Sequence, residues 1–324
     1  LAITSAPTNT YGLYQYMAQR LPGYDPSEYL RELNSAYIHV WEEVTKLKNH
    51  YFTNQKTLTV VSPTNNFDLL YNANNALSGV LSNRLYQITR IRVQPPAGGL
   101  FQTSTAMHFN DPDYLSISAN PGSTPSQTGP YWWTLYGRGN LLFGLPLQTG
   151  SVIEVTYTFW PISLTYLSNG TLTSVGQVIT GTSTTFTQLV PPDFQTSLPL
   201  SKQQEEILAE LIVNNSAVYQ VSAITSDTAL STFVPIAPAL AGATYVVATA
   251  PEIPREHIRV IASVAMAKMF SVDGDDARTV EWTGTAASNM QMMKDSLVER
   301  YSNNPPKKQR FPYGVGRRNR AFLR

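Results

Sequence analysis

Cysteine is missing from all 324 positions, which excludes disulfide frameworks, thiolate metal sites and cysteine nucleophiles while saying little about the redox compartment. Charge is scarce as well: Asp, Glu, Lys and Arg make up 14% of the chain against 42% for hydrophobic residues, so Ser, Thr, Asn and Gln carry much of the surface. Such a surface suits assembly more than long-range electrostatic steering. No apolar run approaches the roughly 20 residues that cross a bilayer. Leu1 to Thr10 lack the charged and apolar regions of a signal peptide, and a soluble chain with no membrane partner is expected.

The motifs of common chemistries are missing too. There is no Gly-rich phosphate loop, no G-x-S-x-G elbow and no H-E-x-x-H pair. His39, His50, His108 and His257 are scattered, without the spacing of a metal site on one helix or hairpin. Asp273, Asp275 and Asp276 lack the Gly and distal Glu placement of a calcium loop and read as a turn and a helix cap. Glu42 with Glu43, and Glu205 with Glu206, are neighbours on helical segments and point apart, as solvated faces do. The sequence therefore nominates no catalytic residue, no cofactor-binding residue, no cofactor and no metal ligand, and a non-enzymatic chain is expected.

What is present begins with length, which favours two or three modules in one polypeptide. Asp25-Pro26-Ser27-Glu28 combines a cap, a proline suited to the first helical position and a glutamate that reaches back to the cap. The helix it opens carries Leu30, Leu33, Tyr37, Val40, Val44 and Leu47 three and four apart, with Trp41 widening the stripe. From residue 84 the period changes to two. Strands are predicted at Leu85 to Val93, Tyr114 to Ser118, Trp132 to Tyr136, Asn140 to Phe143 and Ser151 to Tyr157, with the turn-rich loop Asn120 to Pro130 projecting among them.

A second β-rich stretch runs from about 167 to 250, interrupted by Ser201 to Val213, which reads as a helix inserted in a loop because Ile207, Leu208, Leu211 and Ile212 share one helical face. Helices return at Pro254 to Phe270, with Ile258, Ile261, Ala265 and Met269 on one face, and at Asp276 to Tyr301. The last helix is expected to turn Val280, Ala287, Met290, Met293, Leu297 and Tyr301 inward. These readings give an α+β fold class: a helical bundle from the N- and C-terminal helices with two inserted antiparallel β modules. The helical core takes residues 1–60 and 251–304, the first β module 61–166, the second 167–250 with its helical insertion, and a basic tail 305–324.

That tail holds Lys307, Lys308, Arg310, Arg317, Arg318, Arg320 and Arg324 and no acid, leaving 16 of the 23 basic residues before it against 22 acidic ones. A solvated tail is one reading. The interspersed Phe311, Tyr313, Phe322 and Leu323 are apolar anchors that favour docking on a partner, and the cations equally suit phosphates passing nearby.

Asn169 to Ala248 resembles a β module that recurs in structural proteins of tailed phages. The resemblance lies in Gly170-Thr171-Leu172, in Gly176-Gln177-Val178-Ile179-Thr180-Gly181-Thr182 leading to Thr184-Thr185-Phe186, in Tyr219 to Leu230, and in Gly242-Ala243-Thr244-Tyr245. It departs from the pattern at Gln195 to Asn214. The helical ends and the strings ITRIRVQPP and GSVIEVTYTFWP resemble podophage-type head-to-tail adaptors, and together the likeness covers most of 25 to 303. It implies a structural virion protein at the neck between capsid and tail, assembled in the host cytoplasm. It further implies a dodecameric ring of copies that joins the portal protein to a tail tube or nozzle protein and continues the channel through which genomic DNA passes non-specifically. The segment from Pro305 to Arg324 would face portal or DNA. An alternative is a tail or receptor-binding protein that recognises a host glycan, for which Tyr131-Trp132-Trp133 with Tyr136 would be the stacking platform. Alternation along a strand argues against a platform, because Trp132 and Trp133 then point to opposite faces.

Overall fold

The computed structural model describes residues 8–47, 51–72, 75–81, 84–96, 98–107, 131–136, 139–189, 209–214 and 217–301. Its first helix, α1 (Thr10–Arg20), is capped by Asn9, whose side chain accepts from Gly12 N. The second, α2 (Pro26–Lys46), carries the full capping box between Asp25 and Glu28, and buries Tyr29, Leu33, Ala36, Tyr37, Val40, Trp41 and Val44. Near the other end, α3 (Arg259–Val272) is apolar almost all round and is packed by α1, α2 and α4 (Asp276–Tyr301). These helices share one apolar core, which also takes in Phe52 and Leu164 from the β regions.

Helix α4 departs from the predicted inward face. Ala286, Met290, Met293 and Leu297 form its buried stripe, while Val280 and Ala287 are exposed. At about 100° per residue, Val280 lies roughly 120° around the helix from Ala286 and Ala287 roughly 100°, so neither can join a stripe set by the methionines.

The chain between the helices builds two β bodies. In the first, β1 (Thr53–Thr59), β8 (Val152–Phe159), β3 (Leu85–Gln94) and β4 (Gln102–Thr103) form one sheet in that order. β2 (Thr64–Asp68), β7 (Asn140–Leu147), β6 (Trp132–Tyr136) and β5 (Thr105–Ala106) form the other. Their inner faces meet around Leu58, Phe67, Ile91, Phe143, Ile153 and Val155. The chain crosses between sheets at Ser104, whose N–H and hydroxyl both donate to the Ile91 carbonyl, at 3.0 and 2.8 Å. Trp133 enters this core while Trp132, one residue away, stays partly exposed.

The second body is a seven-stranded sheet in the order β10 (Thr171–Val175), β11 (Val178–Thr182), β14 (Ala229–Thr232), β13 (Ala217–Ser226), β12 (Ala209–Val213), β15 (Tyr245–Thr249), β9 (Tyr166–Leu167). β9 and β10 are two halves of one interrupted strand. Leu167 pairs with Val247, Leu172 bridges Ala243, and Ser174 N donates to Leu240 O, so both halves run antiparallel to the single segment 240–248. The sheet thereby closes on itself into a barrel. The interruption falls at Gly170, with φ of 85°, where an added Cβ would stand 2.2 Å from the Thr182 carbonyl oxygen.

Two further expectations are overturned. The helix predicted over 201–213 is not formed where it is described: Ala209–Val213 is an inner strand bonded to β13 and β15, and residues 201–208 lie outside the described residues. A short run buried on both faces has no alternation to betray it, and Leu211 and Ile212 satisfied a helical template by chance. The α+β helical bundle with inserted modules gives way to a mostly β fold, since among the described residues three sheets of four, four and seven strands make up 36% against 32% helix. The helices announced themselves through caps and long periodic stripes. The sheets are assembled from many short strands, three of them only two residues long, whose individual signals are weak.

Candidate functional site

The ten sequence-nominated residues of the basic segment, Lys307 through Arg324, lie outside the described residues, as does the loop Asn120 to Pro130. Among the described residues no group of His, Asp and Glu could hold a metal ion. What the structure assembles instead is a pair of buried polar joints and an apolar surface.

The first joint centres on Glu252, in the link from β15 to α3. Its carboxylate pairs with the Arg84 guanidinium and accepts from Ile162 N at 3.1 Å, while its own N–H donates to the Tyr37 phenol oxygen at 2.7 Å. Arg84 also donates from Nε to the Trp160 carbonyl at 2.7 Å and lies over the Phe159 ring. Both charged side chains are nearly enclosed, 7% exposed for Arg84 and 13% for Glu252. Burial pushes the Tyr37 phenol well above its ordinary range, and the neighbouring Glu252 charge adds to that. The joint thus ties α2, the first β body and the approach to α3 at one point.

The second joint centres on Glu210, on inner strand β12. Its Oε2 accepts from Thr8 Oγ1 at 3.0 Å and from Asn9 Nδ2 at 2.8 Å, and its Oε1 accepts from Arg255 Nη2 at 2.8 Å. Asn9 is the cap of α1, so one side chain closes the helix end and anchors it to the barrel. Beside it, Thr10 Oγ1 donates to the Thr249 carbonyl at 2.7 Å. Here the carboxylate is 5% exposed but its arginine partner is 70% exposed.

Neither joint was nominated from the sequence. The one signal was a lone carboxylate inside the apolar run Ala209 to Val213, and it was absorbed into the mistaken helix. Chemically both joints hold elements in place; every carboxylate oxygen named is occupied by a donor from the chain itself.

The apolar surface has two parts. Val175, Val178, Phe233 and Val234 stand 59 to 83% exposed at one end of the barrel. At the junction of α2 with the first β body, Tyr86 and Trp160 are 49 and 38% exposed, with ring centroids 4.7 Å apart, and Trp160 stacks on fully buried Trp41 at 4.6 Å. Both sit on hydrogen-bonded backbone. No family model matches the chain, and no curated protein is found similar to it.

Proposed function

We propose that this chain is a structural subunit of a tailed-phage virion, a head-to-tail adaptor that forms a ring between portal and tail around the path of the DNA. The observation that supports this reading best is its surface: large apolar side chains held out on ordered strands and helices, over a body whose separate cores are locked by the Glu252 and Glu210 joints. A rigid body with uncharged contact patches suits permanent contact with neighbours rather than turnover of a ligand. The strings that resemble phage structural modules and adaptors point the same way. In this reading residues 305–324 meet either the portal or the DNA, by apolar anchors in the first case and phosphate neutralisation in the second.

The test is electron microscopy of the purified full chain added to portal-bearing heads. A ring seated on the portal is expected, together with loss of tail joining when the chain is truncated after Asn304. A chain that ignores portals and instead labels bacterial cells in a sugar-inhibitable manner overturns the adaptor in favour of a glycan-binding tail protein.

A further inference from the structure

We infer that a row of tyrosines at the corner of α1 and α2 is the seat for the proline-and-lysine segment Pro305 to Pro312 of another copy of this chain. The seat goes beyond the adaptor reading, and Tyr313 to Arg324 remain for the portal or the DNA. The rings of Tyr11, Tyr14, Tyr166, Tyr29 and Tyr24 adjoin one another. Tyr166 lies 5.3 Å from both Tyr11 and Tyr14, Tyr14 lies 5.5 Å from Tyr29, and Tyr29 lies 5.8 Å from Tyr24. Tyr29 is buried, whereas the other four are half-buried and show part of a ring to solvent. The Tyr24 and Tyr166 phenols are pushed up to about 12, the first by its hydrogen bond to Asp273 and the second by burial, so both are neutral at ordinary pH.

Charge and residue type say what covers the row. Aromatic faces receive proline rings at little entropic cost, because proline's φ is already fixed, and they attract Lys and Arg. Carboxylates border this row: Asp25 and Asp273 are exposed and Glu28 is half-buried. The Asp25 charge is felt at Tyr166, and the Glu28 charge at Tyr24 and Tyr29. Of the nearby cations, Arg20 and Arg259 lie over the Tyr16 ring and Arg278 pairs with Asp275. Pro305-Pro306-Lys307-Lys308-Gln309-Arg310-Phe311-Pro312 brings three prolines, three cations and no acid. It complements an aromatic seat with an acidic border, from which a phosphate or an acidic peptide is repelled.

Reach says which copy supplies it. Tyr24 bonds Asp273 just before α4 begins, and Glu43 near the end of α2 pairs with Lys294 toward the end of α4. Helices α2 and α4 therefore run the same way from a shared beginning beside the row. Helix α4 is about 39 Å long, and Pro305 and Pro306 extend at most roughly 18 Å past Tyr301. A chain's own prolines stop short of its own row, and the seat is filled from another copy. Segment on row is a heterologous contact, which repeats from copy to copy and closes into a ring when the rotation allows. Each seat is a peptide contact, and closure makes the set durable.

Because the chain has no cysteine, introduced thiols report without background. Full-length copies carrying Ser168→Cys, two residues from Tyr166, are mixed with tagged full-length copies carrying Gln309→Cys. A short bis-maleimide is added to the concentrated free mixture and to the mixture on portal-bearing heads. A covalent pair of one tagged and one untagged copy is expected. Adding Pro305→Ser with Pro306→Ser, or Lys307→Glu with Lys308→Glu, to the tagged copy should lower the yield of that pair about tenfold with an unchanged circular dichroism spectrum. Equal yield from a tagged copy whose residues 305–312 are shuffled overturns the seat, because charge alone then suffices. A single chain carrying both thiols that closes on itself at high dilution also overturns it, by placing the segment on its own copy. Absence of the pair in both settings overturns the seat, and rings on the same heads then leave the adaptor reading standing. The pair in free chain with no ring on heads upholds the seat and overturns the adaptor reading instead.

Discussion

The Glu252 and Glu210 joints hold the same kind of group in two different ways. Glu252 faces a guanidinium that is itself enclosed, and a phenol oxygen, a carbonyl and an amide complete the cluster. Glu210 faces an arginine that remains largely in water, and its other partners are the neutral Asn9, buried, and Thr8, partly buried. Losing a partner leaves an uncompensated buried charge in the first joint. In the second, loss of the arginine leaves a carboxylate that keeps two neutral donors, and loss of a neutral donor leaves it its arginine.

The largest effect is therefore expected from Glu252→Ala, which strands Arg84: a loss of about 3–5 kcal/mol in urea unfolding. The double variant Arg84→Met with Glu252→Gln should recover much of that loss. If the double proves as damaging as the single, the enclosed ion pair is not what distinguishes the joint. Next comes Asn9→Ala, which removes both the α1 cap and a bond to Glu210. It should cost about 1–2 kcal/mol and speed amide exchange in the first turn of α1, read by hydrogen–deuterium exchange. Arg255→Ala, on the exposed side of the second joint, should change stability by less than about 1 kcal/mol. A loss as large as that of Glu252→Ala would erase the contrast.

A third contact sharpens it through pH. Glu43 on α2 is held down to about 2, first by Lys294 of α4 and then by Lys46. Its folded pKa lies below the ordinary glutamate value of 4.5, so the stabilisation is complete above about pH 4.5 and is lost as the pH falls from there toward 2. Lys294→Met should flatten that part of the stability profile while leaving neutral-pH folding of the β bodies intact.

Much of α2 could be read directly, because the Asp25 to Glu28 cap and the three-four spacing from Leu33 to Val44 are local signals that tertiary packing reinforces. The strand Leu85 to Val93 was legible in its extent but not in its faces, because irregularities at Leu85 to Gln87 and Ile88 to Arg90 break the alternation and leave Ile88, Ile91 and Val93 as the buried set. Strand β12 was not, since burial on both faces removes the alternation and its identity depends on β13 and β15 lying either side. The joints were beyond local reading altogether: Arg84 and Glu252 are 168 residues apart, and Asn9 and Glu210 are 201 apart. Nothing near either carboxylate says which distant segment will bring the donor. Helix α4 shows the intermediate case, with Met290, Met293 and Leu297 placed rightly and Val280 misplaced, because a stripe is readable only where a neighbouring element covers it.

The interrupted strand formed by β9 and β10 has one more consequence. With both halves bonded to 240–248, the described strands of the barrel offer little row of unpaired amides and carbonyls to a passing peptide, which disfavours strand addition there. Whatever recognises this body must do so through the identity of its side chains. Its associations can then be rewired by point substitution without disturbing the backbone that carries them.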